Sequence, residues 1–126
     1  MTEHNELAYI NHILDAIDDI EESIDILSKE KFIKTKDIKE ANIRRLEIIG
    51  EAVSNLPNSF RIKYPEVPWR VIVGNRDKMI HHYFGVNLDV VWNTIKKDVP
   101  DLKQKILRIK RDLEKDQDGK RRADNK

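Results

Sequence analysis

Apolar residues recur three or four positions apart along the first stretch of the chain, at Leu7, Ile10, Ile13, Leu14, Ile17, Ile20, Ile24 and Leu27, with acidic and polar residues between them. That is the period of one helix face, and it predicts an amphipathic helix over residues 5–28. A second stripe, Ile38, Ala41, Ile43, Leu46, Ile49, Ala52, Val53 and Leu56, opens after Thr35, a suitable N-cap, and stops at Pro57. A second helix is therefore expected over residues 36–56. Gly50 lies inside it at a cost of about 1 kcal/mol relative to Ala, which points to another backbone passing close by, with Glu51 facing the same contact.

Residues 57–68 hold Pro57, Pro65 and Pro68, three of the four prolines, and read as a loop with a turn. Trp69, Val71 and Ile72 suggest a short helix with Pro68 near its first turn, broken briefly at Gly74. Residues 75–83 return to helical composition, Gly85 marks an exit, and Asn87 can cap a helix carrying Leu88, Val91, Trp92 and Ile95. Pro100 is expected to interrupt that helix. Asp98 can cap a last one, with the stripe Leu102, Ile106, Ile109 and Leu113. After Glu114 apolar residues almost cease. Residues 1–114 are thus expected to form one all-α domain, an antiparallel helical bundle, and 115–126 a disordered charged tail. The 87–114 segment should complete the core around Trp92, and Trp69 and Trp92 read as packing anchors rather than base-stacking platforms.

Composition narrows the function. The 126 residues include no cysteine, which removes disulfides, thiolate metal sites and thiol nucleophiles and suits a cytoplasmic protein. Glu3, Glu6, Asp15, Asp18 and Asp19 argue against a signal peptide or membrane span in the first twenty residues. The net charge of +1 gives little long-range attraction for nucleic acid, so any RNA binding must come from local clustering. Arg61, Lys63, Arg70, Arg76 and Lys78 face only Glu66 and Asp77 over residues 60–80, although charge alone reads there as a solvated face. The basic run Lys120-Arg121-Arg122 is given no role.

The chemistry concentrates in Asn75-Arg76-Asp77-Lys78-Met79-Ile80-His81-His82-Tyr83, which gathers a fixed cation, a carboxylate, two imidazoles and a phenol. Cleaving RNA without a metal needs a base for the 2′-hydroxyl proton, an acid for the departing oxygen and a cation for the phosphorane. Histidine can be acid or base because it titrates near working pH, and arginine is a permanently charged, forked phosphate clamp. At about 100° per residue, an ideal helix puts Tyr83 about 20° from Arg76 but His81 about 140° away. His81 joins Arg76 only if the arginine reaches round, if the helix ends or distorts, or if a second chain completes the site. Asp77, at i and i+4 with His81, could orient the imidazole and favour its protonated form. Arg76 could equally be a structural partner of Asp77 or Glu51. His4, His12 and His82 read as structural residues, and Asp77 with His81 is too few ligands for a metal, so neither metal nor cofactor is expected.

The tripartite pattern R-x4-H-x-Y, met by Arg76, His81 and Tyr83, resembles the HepT-like branch of the HEPN families. The flanking blocks Arg45 to Ala52 (RLEIIGEA), Val67-Pro68-Trp69, Asn87 to Trp92 and Val99-Pro100-Asp101-Leu102 look like the family's in order, over roughly residues 5–114. Two positions depart from the pattern: His82 stands where a small residue is usual, and Asp77 where Asn is frequent. The resemblance implies a metal-independent endoribonuclease that is the toxin of a toxin–antitoxin pair. It implies Arg76 and His81 as the catalytic residues, supported by Asp77, with RNA as substrate and two protomers joining their motifs as a homodimer. It further implies a minimal nucleotidyltransferase antitoxin that silences the toxin by transferring AMP to Tyr83. Two other classes stay open: a noncatalytic helical module binding nucleotide or a partner, and the antitoxin subunit of such a pair.

Overall fold

The computed structural model describes residues 2–81 and 87–124, with side chains for 6–77 and 87–119. Helix α1 spans Thr2–Ile24, α2 Lys29–Lys34, α3 Lys36–Ser54, α4 Asn58–Lys63, α5 Trp69–His81, α6 Leu88–Asn93 and α7 Val99–Asp124, with a π-turn, Thr94–Asp98, joining the last two. The expected all-α bundle is what forms, with no strand among the described residues. No helix among them is long and apolar enough to cross a membrane.

The α1 stripe is buried as its spacing predicts, with Ile10, Ile13, Ile17 and Ile20 wholly enclosed. The helix ends at Ile24 rather than at 28, because the Leu27 N–H closes a turn onto the Ile24 carbonyl. The Ser28 hydroxyl then accepts from the Lys31 N–H to start α2, a helix not foreseen in the sequence. At six residues α2 is too short to show a period, and Phe32, stacked 5.2 Å from Trp92, is its one buried side chain. Thr35 does occupy the N-cap position of α3, but its hydroxyl donates to the Lys31 carbonyl and closes α2 instead.

α3 lies between α1 and α5, and α7 covers α1. Buried Asn42 ties the start of α3 to the end of α1: its amide donates to Ser23 Oγ and the Ile38 carbonyl, and its Oδ1 accepts from Arg45. A satisfied network of this kind adds register without leaving a buried polar atom bare. Lys103 at the start of α7 reaches Glu21 at 2.7 Å and Asp18 at 3.3 Å near the end of α1. The hydrogen bond to Glu21 is the main reason its ammonium is held above the usual lysine range, with partial burial opposing it.

The segment read as a loop contains α4. Phe60 enters the core and forms an aromatic cluster with Tyr64 and Trp69, whose indole N–H donates to the carbonyls of Arg61 and Tyr64. Arg61 turns back to the C-terminus of α3, donating through Nε to the Leu56 carbonyl at 3.0 Å and through a terminal nitrogen to the Val53 carbonyl at 2.9 Å. The Val53 carbonyl also accepts from the Leu56 N–H at 3.0 Å, so Arg61 adds a side-chain fork to the turn that closes α3.

Gly74 does not break α5, which is continuous through it. Asn87 caps α6 as predicted, its Oδ1 accepting from the N–H groups of Asp89 and Val90. Pro100 does not stop the chain's helical course either. The Val99 N–H bonds back to the Thr94 carbonyl, five residues away, so the ladder widens into a π-turn just before the residue that has no N–H to give. Asp98 therefore sits in that turn and is not an N-cap. α7 continues through the expected tail to Asp124, while Leu113 is its last side chain packed on the core. Beyond that point its Lys, Arg, Asp and Gln residues extend an existing helix, which needs no new nucleus.

Removing the Arg61 fork should expose the end of α3. Arg61→Ala is expected to lower unfolding free energy by about 2 kcal/mol in urea melts followed by circular dichroism, and Arg61→Lys to recover only part, since an ammonium cannot span both carbonyls in a fixed fork.

Candidate functional site

Pro68, Val71, Ile72, Asn75 and Arg76 follow one another at helical spacing and form a single stripe of α5. The stripe is apolar in its first turn and polar in its second. It faces Leu46 and Ile49 of α3, Thr94 and Asp98 of the π-turn, and Val99, Asp101 and Leu102 of α7 across a cleft of about 220 Å³.

Arg76 is placed by Gly50. A Cβ at position 50 would fall on the Arg76 Cβ, 2.9 Å from its Cγ and 3.1 Å from its Cδ, so the arginine stem occupies the space that a side chain on α3 would need. The close approach expected at Gly50 is real, but a side-chain stem makes it rather than a backbone. The consequence reaches the head group. The side chain is 27% exposed, and its Nε is shielded from solvent with no hydrogen-bond partner among the described residues. One terminal nitrogen lies 3.5 Å from the Asp77 carboxylate, at the outer limit of a hydrogen bond. Arg76 does not pair with Glu51.

The other expected site residues are placed less completely. Asp77 is 56% exposed and lies against Arg76. His81 is the last residue of α5 by its backbone, and its side chain is outside the described ones. His82 and Tyr83 lie outside the described residues. Arg76 and His81 share one unbroken helix at a separation of five residues, which keeps them about 140° apart around its axis. The structure thus brings Arg76 against Asp77, and the expected meeting of Arg76 with the His81 side chain lies outside the described residues. The local positive cluster is also smaller than its count suggests, because Arg61 is committed to the end of α3.

The cleft residues Thr94, Asp98 and Asp101 were not anticipated as site residues. The available signal was Pro100 within an otherwise periodic apolar run, since a helix that continues across a proline must widen or kink, and π-turns gather at functional sites.

A family model described as "Ribonuclease HepT-like" matches residues 13–109. Among curated proteins, the "Gamma-glutamylcyclotransferase and putative RNase" of Methanocaldococcus jannaschii is 46% identical over 89% of this chain, which spans only 50% of that longer relative. The "Putative RNase" of Caldanaerobacter subterraneus is 46% identical over 80% of this chain and 90% of its own length. The "Probable ribonuclease HepT" of Thermococcus cleftensis is 46% identical over 82% of this chain and 94% of its own. No solved structure matches the chain.

Gly50 and Gly74, both inside helices, should respond oppositely to the same change. Nothing lies within 4 Å of a Cβ built at Gly74. Gly74→Ala is therefore expected to stabilise the chain by about 1 kcal/mol through helix propensity. Gly50→Ala gains the same propensity but strikes Arg76, and is expected to destabilise by about 1–3 kcal/mol in the same denaturation assay.

Proposed function

The chain belongs to the ribonuclease HepT-like family, and from that premise we propose that it is a metal-independent endoribonuclease, the toxin of a two-component module acting in the cytoplasm. The observation that carries this reading is Arg76: a permanently charged guanidinium, seated by its stem, with Nε unpartnered among the described residues and only a loose contact to Asp77, on the helix that ends at His81. A structural ion pair would leave fewer donors unspent. This weighs against the noncatalytic alternative, in which Arg76 serves only to hold the bundle together.

In this reading Arg76 binds the scissile phosphate and stabilises the charge that develops on its oxygens. A neutral His81 takes the proton of the 2′-hydroxyl as that oxygen attacks phosphorus. The bond to the 5′-oxygen breaks, and a protonated imidazole supplies the proton that the departing oxygen needs, leaving a 2′,3′-cyclic phosphate and a 5′-hydroxyl. Each chain has one motif histidine, set about 140° around the helix from its own Arg76. A homodimer that brings two motifs together supplies base, acid and clamp. Asp77 supports the site by orienting His81.

Silencing is assigned to Tyr83. A cognate minimal nucleotidyltransferase transfers AMP from ATP to the phenol: the tyrosyl oxygen bonds to the α-phosphorus, the bond to the β-phosphate oxygen breaks, and pyrophosphate and the phenolic proton leave. The added anion then competes with RNA for Arg76.

His81→Ala and Arg76→Ala should each lower RNA cleavage by about a hundredfold or more while circular dichroism stays unchanged, and excess EDTA should leave wild-type cleavage intact. Light scattering should give a dimer at micromolar concentration; a monomer that cleaves RNA would sink the shared site. Given ATP, Mg²⁺ and the nucleotidyltransferase, intact-mass analysis should show AMP added to wild type, with loss of cleavage, and none added to Tyr83→Phe.

A further inference from the structure

Phosphate binding at Arg76 leaves most of the adjoining cleft unused. We propose that this cleft is a pocket for one nucleobase of the RNA, that it favours guanine, and that Asp98 is the residue that selects it. The inference rests on reading Arg76 as the phosphate-binding cation.

Size decides first. The cleft holds about 220 Å³, below the roughly 300–1,000 Å³ of pockets for drug-sized ligands, which suits a single ring system rather than a peptide or a whole cofactor. Its floor is apolar, formed by Leu46, Ile49, Ile72 and Leu102, and offers contact to the face of a flat ring. One rim carries Arg76, so a base in the cleft would sit beside the phosphate that the guanidinium holds. Unpaired bases presented in this way are read by hydrogen bonds along their Watson–Crick edges.

The wall formed by the π-turn and α7 sets the preference. Of the two carboxylates lining the cleft, Asp101 is held by Lys105 at 2.9 Å, whereas Asp98 has no ion pair or side-chain hydrogen bond among the described residues. An ionised carboxylate only accepts, and its two oxygens match two parallel N–H donors. Guanine offers that pair in N1–H and its 2-amino group. Adenine and cytosine offer one amino group beside a ring acceptor, which would face the second oxygen. Uracil sets one N–H between two carbonyls. The π-turn is what carries this wall, since both Thr94 and Asp98 belong to it.

The test uses the full chain and 2′-O-methyl pentanucleotides that cannot be cleaved, UUGUU and UUUUU, with binding read by fluorescence anisotropy. UUGUU should bind about tenfold more tightly, the scale of one bidentate base contact. Asp98→Asn, an exposed substitution, should bring UUGUU down to the UUUUU level and leave UUUUU unchanged, because one acceptor becomes a donor facing donors. Arg76→Ala should weaken both alike. Equal binding of the two oligonucleotides by wild type overturns the pocket, as does a guanine preference that survives Asp98→Asn. So does amide NMR that maps UUGUU away from Ile72 and Leu102 while a second copy of the chain covers them. Because no cleavage is needed, the two readings fail separately: a chain that cuts RNA without base preference loses the pocket and keeps the ribonuclease, and one that prefers guanine without cutting does the reverse.

Discussion

The contact between Gly50 and the stem of Arg76 sets the spacing of α3 and α5, and the cleft depends on that spacing. Any side chain at position 50 would meet the Arg76 Cβ, Cγ and Cδ and push the helices apart. Leu46 and Ile49 would then no longer form a floor against Ile72. The glycine costs α3 about 1 kcal/mol of helix propensity. In return, the first three carbons of a long, flexible side chain are fixed before any ligand arrives. An arginine free in solvent loses up to about 2 kcal/mol of rotamer entropy when it is ordered, and here part of that ordering is completed by folding.

The same seat explains the unpartnered Nε. Burying the stem carries the nitrogen out of reach of water, while the neighbouring carboxylate touches only a terminal nitrogen, at 3.5 Å. A guanidinium with a buried nitrogen that has no partner among the described residues is costly in the free chain and gains by binding an anion. Elsewhere the buried polar groups of Asn42, Trp69 and Arg61 are satisfied, and the Asn11 Oδ1 is the one other buried side-chain polar atom without a partner among the described residues. Stability is supplied by α1, α3 and α7, and the site is placed on α5 and the π-turn at one edge of that core.

Much of the bundle was legible because its long helices obey one rule. The stripes of α1, α3 and α7 are apolar at helical spacing and are buried as that spacing demands, and Asn87 caps α6 by its own side-chain chemistry. What escaped is short or depends on tertiary contacts. α2 and α4 have six residues each and one buried side chain apiece, which no period can reveal. Gly74 looked like a break because glycine lowers propensity, yet packing on both sides of it keeps α5 whole. Pro100 looked like an end because its missing N–H was weighed without the option of a wider turn. At the site, the motif named Arg76 from local pattern alone, and Gly50 was marked by its cost in a helix. The cleft was invisible, since Thr94 and Asp98 come to line one cleft with Arg76 only through the folding of segments about twenty positions apart.

Charge places a further constraint on how such a site can work. The chain carries a net charge of only +1, and of the five cations over residues 60–80 Arg61 is bound to helix carbonyls. Each phosphate contact contributes to affinity through counterion release, so a surface whose cations are nearly balanced by acidic groups binds any one RNA segment weakly and with a shallow salt dependence. A long basic track is therefore not what would hold RNA here. On the proposed reading, discrimination comes from close geometry: one guanidinium held in place and a neighbouring cleft the size of a base. In the proposed scheme a single phosphate-bearing group near Arg76 is sufficient to silence the site, because the nearly balanced charge of the chain supplies little net attraction to offset the loss of that clamp.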